Sequence, residues 1–287
     1  MEEIEVKAYA KINLAIDLLG KREDNYNEVK MIMQTIDIFD KVKVKRVDEG
    51  IIIESEMNLI PKDSRNVAYK AAQCMFERYN IKDGVCIEIE KNIPISAGLG
   101  GGSADAAAVI IGINKLFGLE LDTSELMDIG REIGADVPFC IMKNTALAEG
   151  IGERLTSLPN MHSTDLVVIK PRFGVSTKVV YEEFDYSEPK RRPNFDILID
   201  SIAKHDIANI AKNMANVLES VTEKKNPVIT DIKNQLIRNN ALGAMMSGSG
   251  PAVFAIFKNE ILAKNAYEAL RNKGEHYCYL TKTICFI

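Results

Sequence analysis

One stretch, Pro94-Ile-Ser-Ala-Gly98-Leu-Gly100-Gly101-Gly102-Ser103-Ala104-Asp105-Ala106-Ala107-Ala108, constrains the fold of this chain more than any other. It follows a strand-like run, Val85 to Ile89, and passes directly into a segment with apolar residues at Ala106, Val109, Ile110, Ile113, Leu116 and Phe117. That spacing predicts a helix over 104–117. Glycine has no Cβ and tolerates positive φ, so the loop can bring consecutive backbone N–H groups close to a bound oxyanion. The first turn of the helix adds further N–H donors and the positive end of its dipole. Loop and helix together read as a phosphate site. No Gly-Lys-Ser/Thr follows, which excludes a Walker A loop, and Gly98-x-Gly100-x-x-Ser103 lacks the second half of a dinucleotide fold. A flexible linker would leave the Ala-rich amphipathic helix unexplained.

A phosphate ligand must be held locally, because the formal net charge of −5 gives no general polyanion surface. Nucleic acid is therefore not an expected partner. No run approaches the roughly 18 apolar residues of a membrane span, and the acidic start, Met1-Glu-Glu-Ile-Glu5, has no apolar signal core. The five cysteines, at 74, 86, 140, 278 and 285, are odd in number and lack Cys-x-x-Cys spacing. They read as reduced thiols in a cytoplasmic protein. His162, His205 and His276 are scattered outside every motif, which argues against a histidine triad or a zinc site.

From Ile4 to Leu18 apolar residues alternate with Lys7, Tyr9, Lys11, Asn13 and Asp17, predicting a long strand with one buried face. Lys11 and Asn13 share its other face, where pattern alone reads Lys11 as solvated. A polar turn at 20–27 precedes strand-like alternation to Val47, and Ile51 to Glu54 is a short strand. Helices are expected over 64–79 and 122–133, the second with Asp122 as N-cap, Glu125 completing a capping box and Gly134 at C′. Pro138 biases Val137 toward an extended conformation, which would place Asp136 in a short link from helix to strand. Strands are read at 166–169, 252–257 and 280–286, and helices at 197–202, 207–221, 228–239 and 261–273. The basic loop Pro189-Lys-Arg-Arg-Pro193 reads as solvated surface. Met246-Ser-Gly-Ser-Gly-Pro251 is a second glycine-rich turn. The order of elements indicates an α+β chain in two domains with a boundary between Gly150 and Ser163.

The motif Pro94-x3-Gly98-Leu-Gly100-Gly101-Gly102-Ser103-Ala104-x-Ala106-Ala107 resembles the central ATP-binding motif of the GHMP kinases. The resemblance runs nearly end to end: Lys7-Ala-Tyr-Ala-Lys11-Ile-Asn13-Leu, Gly134-Ala-Asp136-Val-Pro138-Phe, Ala148-Glu149-Gly150-Ile-Gly152-Glu153, Val175-Ser176-Thr177-Lys178 and Met246 to Pro251. Each motif alone is weak, but their joint order and spacing are specific. The resemblance implies a ribosomal-protein-S5-domain-2-like N-terminal domain over 1–155 and a ferredoxin-like C-terminal domain over 156–287. It implies ATP and Mg²⁺, with phosphoryl transfer to the 2-hydroxyl of a cytidine diphosphate-linked methylerythritol in non-mevalonate isoprenoid precursor biosynthesis.

Family roles carry over residue by residue. Pro94, Ile95, Ser96, Ala97, Gly98, Leu99, Gly100, Gly101, Gly102, Ser103 and Ala104 would bind ATP. Ser103, at the helix start, would hold Mg²⁺ or a phosphate oxygen, or act as an ordinary N-cap. Lys11 and Asp136 match the catalytic pair. Asp136 would accept the proton of the attacking hydroxyl, with the negative end of a helix dipole behind it, while Lys11 would stabilise the developing alkoxide. Asn13, Tyr26, Asn27 and Tyr181 match acceptor-binding positions, where a tyrosine can stack on a flat heterocycle. One departure stands out: Asp24-Asn25-Tyr26-Asn27 occupies the place of the family's Asp-Gly-Tyr-His, whose histidine helps recognise cytosine. A GHMP kinase with another alcohol or phosphate acceptor is thus an alternative, and a non-catalytic nucleotide-binding protein is a third.

Overall fold

The computed structural model describes residues 2–189 and 191–286. The chain divides into two compact units. The first comprises Met1–Ala10, Ile38–Pro94 and Gly100–Met142; the second comprises Lys11–Asp37, Ile95–Leu99 and Lys143–Ile287. Strands β1 (Glu3–Lys21) and β2 (Asn27–Val47) each give one part to either unit.

In the first unit, β3 (Ile51–Glu54) runs parallel to β4 (Gly84–Glu90), and β4 runs antiparallel to the second half of β2, with Val42 opposite Ile89 and Val44 opposite Ile87. Helices α1 (Val67–Tyr79), α2 (Gly101–Phe117), α3 (Thr123–Ile133) and α4 (Val137–Met142) complete it. Asn66, rather than Ser64, starts α1: its side chain accepts the Ala68 N–H, the usual N-cap bond. The α2 helix buries nearly every residue from Ala104 to Ile113. At Gly112 a Cβ would lie 2.8 Å from Val44 Cγ2, so glycine sets how closely helix and strand pack. Helix α3 opens on the expected capping box of Asp122 and Glu125. Gly134 closes it at φ 177, extended backbone rather than the left-handed C′ conformation.

In the second unit, the later part of β1 runs parallel to β8 (Ala215–Asn216), and the first half of β2 pairs with β5 (Thr145–Gly150), which turns back into β6 (Arg154–Ser157). A separate antiparallel sheet has the order β11-β7-β10-β9. Its strands are β7 (Asp165–Lys170), β9 (Gly243–Met246), β10 (Val253–Ile256) and β11 (Tyr277–Lys282), packed against α9 (Val228–Arg238) and α10 (Glu260–Arg271). In chain order β7-α9-β9-β10-α10-β11, this is the ferredoxin-like arrangement. Helices α5 (Thr177–Glu182), α6 (Phe195–Ala203), α7 (Ile207–Asn213) and α8 (Glu219–Lys225) lie in the connection from β7 to α9.

Four expectations are corrected. The single helix over 207–221 is α7, β8 and α8: Met214 turns extended at φ −53, ψ 135, and Ala215 and Asn216 pair with Ala15 and Ile16. The last strand ends at Lys282 instead of reaching Phe286; beyond it Thr283 makes an isolated bridge to Ile36. The polar face of β1 is not solvated throughout, because Lys11, Asn13 and Asp17 are buried. The loop 189–193 is not plain surface either: Arg192 pairs with buried Asp17 and donates to the Leu18 carbonyl at 3.1 Å. Lys190 of that loop lies outside the described residues.

Candidate active site

The glycine loop is built from left-handed residues at alternate positions. Ser96 (φ 51), Gly98 (φ 78) and Gly100 (φ 71) all have positive φ, where glycine is least strained. Gly98 has a second reason to lack a side chain, since a Cβ would stand 2.1 Å from the Ser247 carbonyl oxygen. The helix that follows starts at Gly101, three residues before the apolar pattern begins, and Gly100 is its N-cap with no side-chain capping bond. Ser103 is therefore the third helical residue and not the cap. Gly101 faces inward, where a Cβ would meet Ile93 Cγ2 at 3.0 Å. Gly102 faces open space, with nothing within 4 Å of an added Cβ. The N-terminal turn thus has no capping side chain and no acidic residue, and there is room beside Gly102.

Lys11 is 4% exposed, so it is not a solvated strand lysine. Its Nζ donates to Asn13 Oδ1 at 2.8 Å, and its backbone N–H donates to the Leu99 carbonyl at 3.0 Å. Asn13 Nδ2 in turn reaches Met31 Sδ at 3.6 Å. Lys11 and Asn13 thus come together beside the loop. Asp136 belongs to the first unit, and its surroundings differ from the expectation. Val137 is helical, with Pro138 in the first turn of α4, where proline is tolerated. The Asp136 carbonyl accepts the Cys140 N–H at 3.1 Å, so Asp136 heads α4 instead of sitting in a helix-to-strand link.

The second glycine turn packs on the first loop. Ser247 Oγ donates to the Gly98 carbonyl at 2.9 Å, and the Ala252 N–H donates to the Ala97 carbonyl at 3.1 Å. Asn216 Nδ2 donates to the carbonyls of Met246 (2.9 Å) and Gly248 (2.8 Å), while its Oδ1 accepts the Leu218 N–H. Glu219 accepts the Met246 N–H at 2.8 Å. Burial pushes the Glu219 carboxyl up from the usual range, and nearby Lys233 opposes that rise. Thr222 and Thr177 bond to Ser249. Asn216 and Glu219 escape sequence reading because the apolar spacing of 207–221 matches one continuous helix. An asparagine interrupting that apolar run was the available signal.

Among the acceptor-binding positions, Tyr26 is 60% exposed in a turn closed by the Arg22 N–H on its carbonyl and by Asp24 on its own N–H. Asn25 is left-handed at φ 67, a conformation asparagine takes more readily than most residues. Asn27 Oδ1 accepts the Tyr186 hydroxyl at 2.6 Å. Arg192 holds the Tyr186 carbonyl at 3.0 Å. Tyr181 is half-buried near the end of α5. The structure thus joins Asn27 to Tyr186, a residue the motifs do not mark.

Comparison with known proteins accords with this geometry. Residues 66–144 match the family model described as the GHMP kinases N terminal domain, and residues 198–276 match GHMP kinases C terminal. A relative from Acetivibrio thermocellus, 4-diphosphocytidyl-2-C-methyl-D-erythritol kinase, is 54% identical over 284 residues, covering 99% of this chain and 100% of its own. The kinase of the same name from Clostridium botulinum is 50% identical, covering 97% and 99%. A crystal structure of 4-(cytidine 5'-diphospho)-2C-methyl-D-erythritol kinase superposes with a TM-score of 0.85 at 30% identity, covering 99% of this chain and 100% of that one. This chain belongs to the GHMP kinases and, within them, to the family of 4-diphosphocytidyl-2-C-methyl-D-erythritol kinases.

Proposed function

We propose that this protein transfers the γ-phosphoryl group of ATP to the 2-hydroxyl of 4-diphosphocytidyl-2-C-methyl-D-erythritol, in the formation of isoprenoid precursors. The observation that carries the reading is the α2 N-terminus, whose first turn has no capping side chain and whose Gly102 faces open space, in a chain 54% identical to a kinase of that name. Phosphoryl transfer rests on positioning and charge stabilisation more than on covalent help. Gly98 to Ala104 supply N–H donors for the phosphates, and Pro94 to Ala97 lead the chain into them. Asp136 takes the proton of the acceptor hydroxyl as its oxygen bonds to the γ-phosphorus and the bond to ADP breaks. Lys11 stabilises the oxygen that loses that proton. Asn13, Tyr26, Asn27 and Tyr181 orient the acceptor.

Mg²⁺, when bound, neutralises charge on the β- and γ-phosphates. Ser103 is the residue proposed to hold it. A hydroxyl on a first turn without carboxylates suits an ion that keeps several waters and takes its other oxygens from phosphate. The ATP-binding part, 1–155, and the remainder, 156–287, are proposed as units of function rather than of folding, because each compact unit draws on separate stretches of chain. A small-molecule kinase of this kind acts in the cytoplasm; among the described residues no helix is long and apolar enough to cross a membrane. The test is ADP release with the cytidylyl acceptor in a panel of other alcohols and phosphate monoesters. Turnover confined to the cytidylyl compound supports the reading, and preference for another acceptor overturns it.

A further inference from the structure

The glycine loop hangs from a buried ionic bridge that no motif contains. Lys91, 5% exposed at its side chain, precedes the loop and donates through Nζ to Asp40 and, at 2.7 Å, to Asp105 Oδ2. Asp40 is fully buried, and its Oδ1 also accepts the N–H groups of Asn92 (2.5 Å) and Ile93 (2.8 Å), the last residues before Pro94. Asp105 stands on α2 just past its first turn, beside Asp40, and burial pushes its carboxyl up to about 8, with Lys91 opposing that rise and Asp40 adding to it. The ammonium lies 3.4 Å from where a Gly101 Cβ would be, directly behind the first helical turn. One lysine therefore ties the entrance of the loop, residues 91–93, to its exit, residues 101–105.

Stability does not account for this arrangement. Removing charges from water is costly, and a buried ion pair often does no better than apolar residues of the same volume. Two carboxyls buried side by side add to the cost. What the bridge supplies is a fixed separation: the loop can neither lengthen at its entrance nor slide along α2 without breaking a buried charge contact.

We propose that Lys91 and Asp105 are positioning residues for the nucleotide, holding the first-turn N–H groups of α2 aimed at the phosphates. This rests on the reading of that turn as the phosphate site. Both side chains are buried behind that turn and act through the backbone of Gly101 to Ser103. Because small misplacements near the reacting groups are expensive, loss of the bridge appears in ATP binding and in KM for ATP, with KM for the acceptor unmoved.

The experiment uses the full chain, calorimetric titration with the non-hydrolysable analogue adenylyl imidodiphosphate, steady-state kinetics and thermal melting. Asp105→Ala frees the exit while leaving Lys91 paired with Asp40, and is expected to weaken analogue binding and raise KM for ATP about tenfold. Asp105→Asn keeps an oxygen that accepts from Lys91 and is expected to restore both to within about twofold of the wild type. Asp40→Asn/Lys91→Met/Asp105→Leu removes all three charges at about the same volume and keeps an oxygen for the Asn92 and Ile93 N–H groups; it should melt close to the wild type yet share the tenfold loss. Gly102→Val is the control for the phosphate site itself, because the protein has room for the side chain and the ligand does not. If Gly102→Val abolishes binding while Asp105→Ala and the triple variant bind like the wild type, the bridge has no positioning role and the proposal is wrong. If Gly102→Val binds normally, the phosphate site lies elsewhere and the proposal falls with the reading beneath it. A loss in Asp105→Ala that Asp105→Asn fails to restore also counts against the bridge.

Discussion

Ser247 donates its hydroxyl to the carbonyl of Gly98 at 2.9 Å, and the Ser247 carbonyl stands 2.1 Å from where a Gly98 Cβ would be. The two residues are 149 positions apart in sequence. Two glycine-rich segments that look independent along the chain thus pack backbone to backbone. One shapes the other.

Replacing Gly98 with alanine therefore fails twice. The added carbon collides with a backbone oxygen that cannot move aside, and φ 78 costs a non-glycine residue about 1–2 kcal/mol before the collision is counted. Gly98→Ala is expected to lower the melting temperature by several degrees and to raise KM for ATP at least tenfold. Gly102→Ala, with open space around its Cβ, is expected to melt within about a degree or two of the wild type. Equal melting temperatures for the two variants would show that the close approach at Gly98 does not constrain the loop.

Tyr186 donates its hydroxyl to Asn27, one of the residues proposed to orient the acceptor. Tyr186→Phe removes that donor and leaves the ring in place. An exposed hydrogen bond contributes about 0.5–1.5 kcal/mol, so KM for the cytidylyl acceptor should rise about two- to tenfold while KM for ATP stays level. Asn27→His should raise kcat/KM for that acceptor, mainly through KM. If Asn27→His lowers kcat/KM and Tyr186→Phe changes nothing, the pair plays no part in acceptor recognition.

Glu219 gives a pH-dependent stability signal. Burial raises its carboxyl in the folded state, so the folded protein resists ionisation and this group contributes stability only below the ordinary glutamate range, losing it as pH rises through the folded value. Glu219→Gln keeps an oxygen for the Met246 N–H and carries no charge. Its melting temperature relative to the wild type should therefore climb as the pH rises above the ordinary glutamate value of about 4.3. A relative melting temperature that falls over the same rise would mean that the Lys233 pairing outweighs burial.

How much of this was legible in the sequence depends on how local the cause is. Strand β3, helix α3 with its capping box and the glycine turn before α2 follow from nearest-neighbour patterns, and all were readable. The start of α2 was not, because Gly101 and Gly102 are poor helix formers, and only the fold sets Gly101 against Ile93. Lys11 looks solvated in an alternating pattern and is buried, with its backbone N–H on the Leu99 carbonyl of the glycine loop, a contact no periodicity encodes. Val137 before proline reads as extended, yet proline at a helix start is compatible with α4. Asn216, Tyr186 and Lys91 make their key contacts with residues between 14 and 159 positions away. Only the folded chain brings them into view.

The central claim is that this chain phosphorylates the 2-hydroxyl of 4-diphosphocytidyl-2-C-methyl-D-erythritol with Asp136 as the base. The most direct measurement is phosphorus NMR of the product formed from ATP and that acceptor by wild type and Asp136→Asn, with ATP-analogue binding measured on both. The account predicts a new phosphomonoester resonance with the wild type and a rate at least about 10²-fold lower with Asp136→Asn, the usual reach of general-base catalysis, at unchanged nucleotide affinity. Full activity in Asp136→Asn, or no phosphomonoester with the wild type, would contradict it.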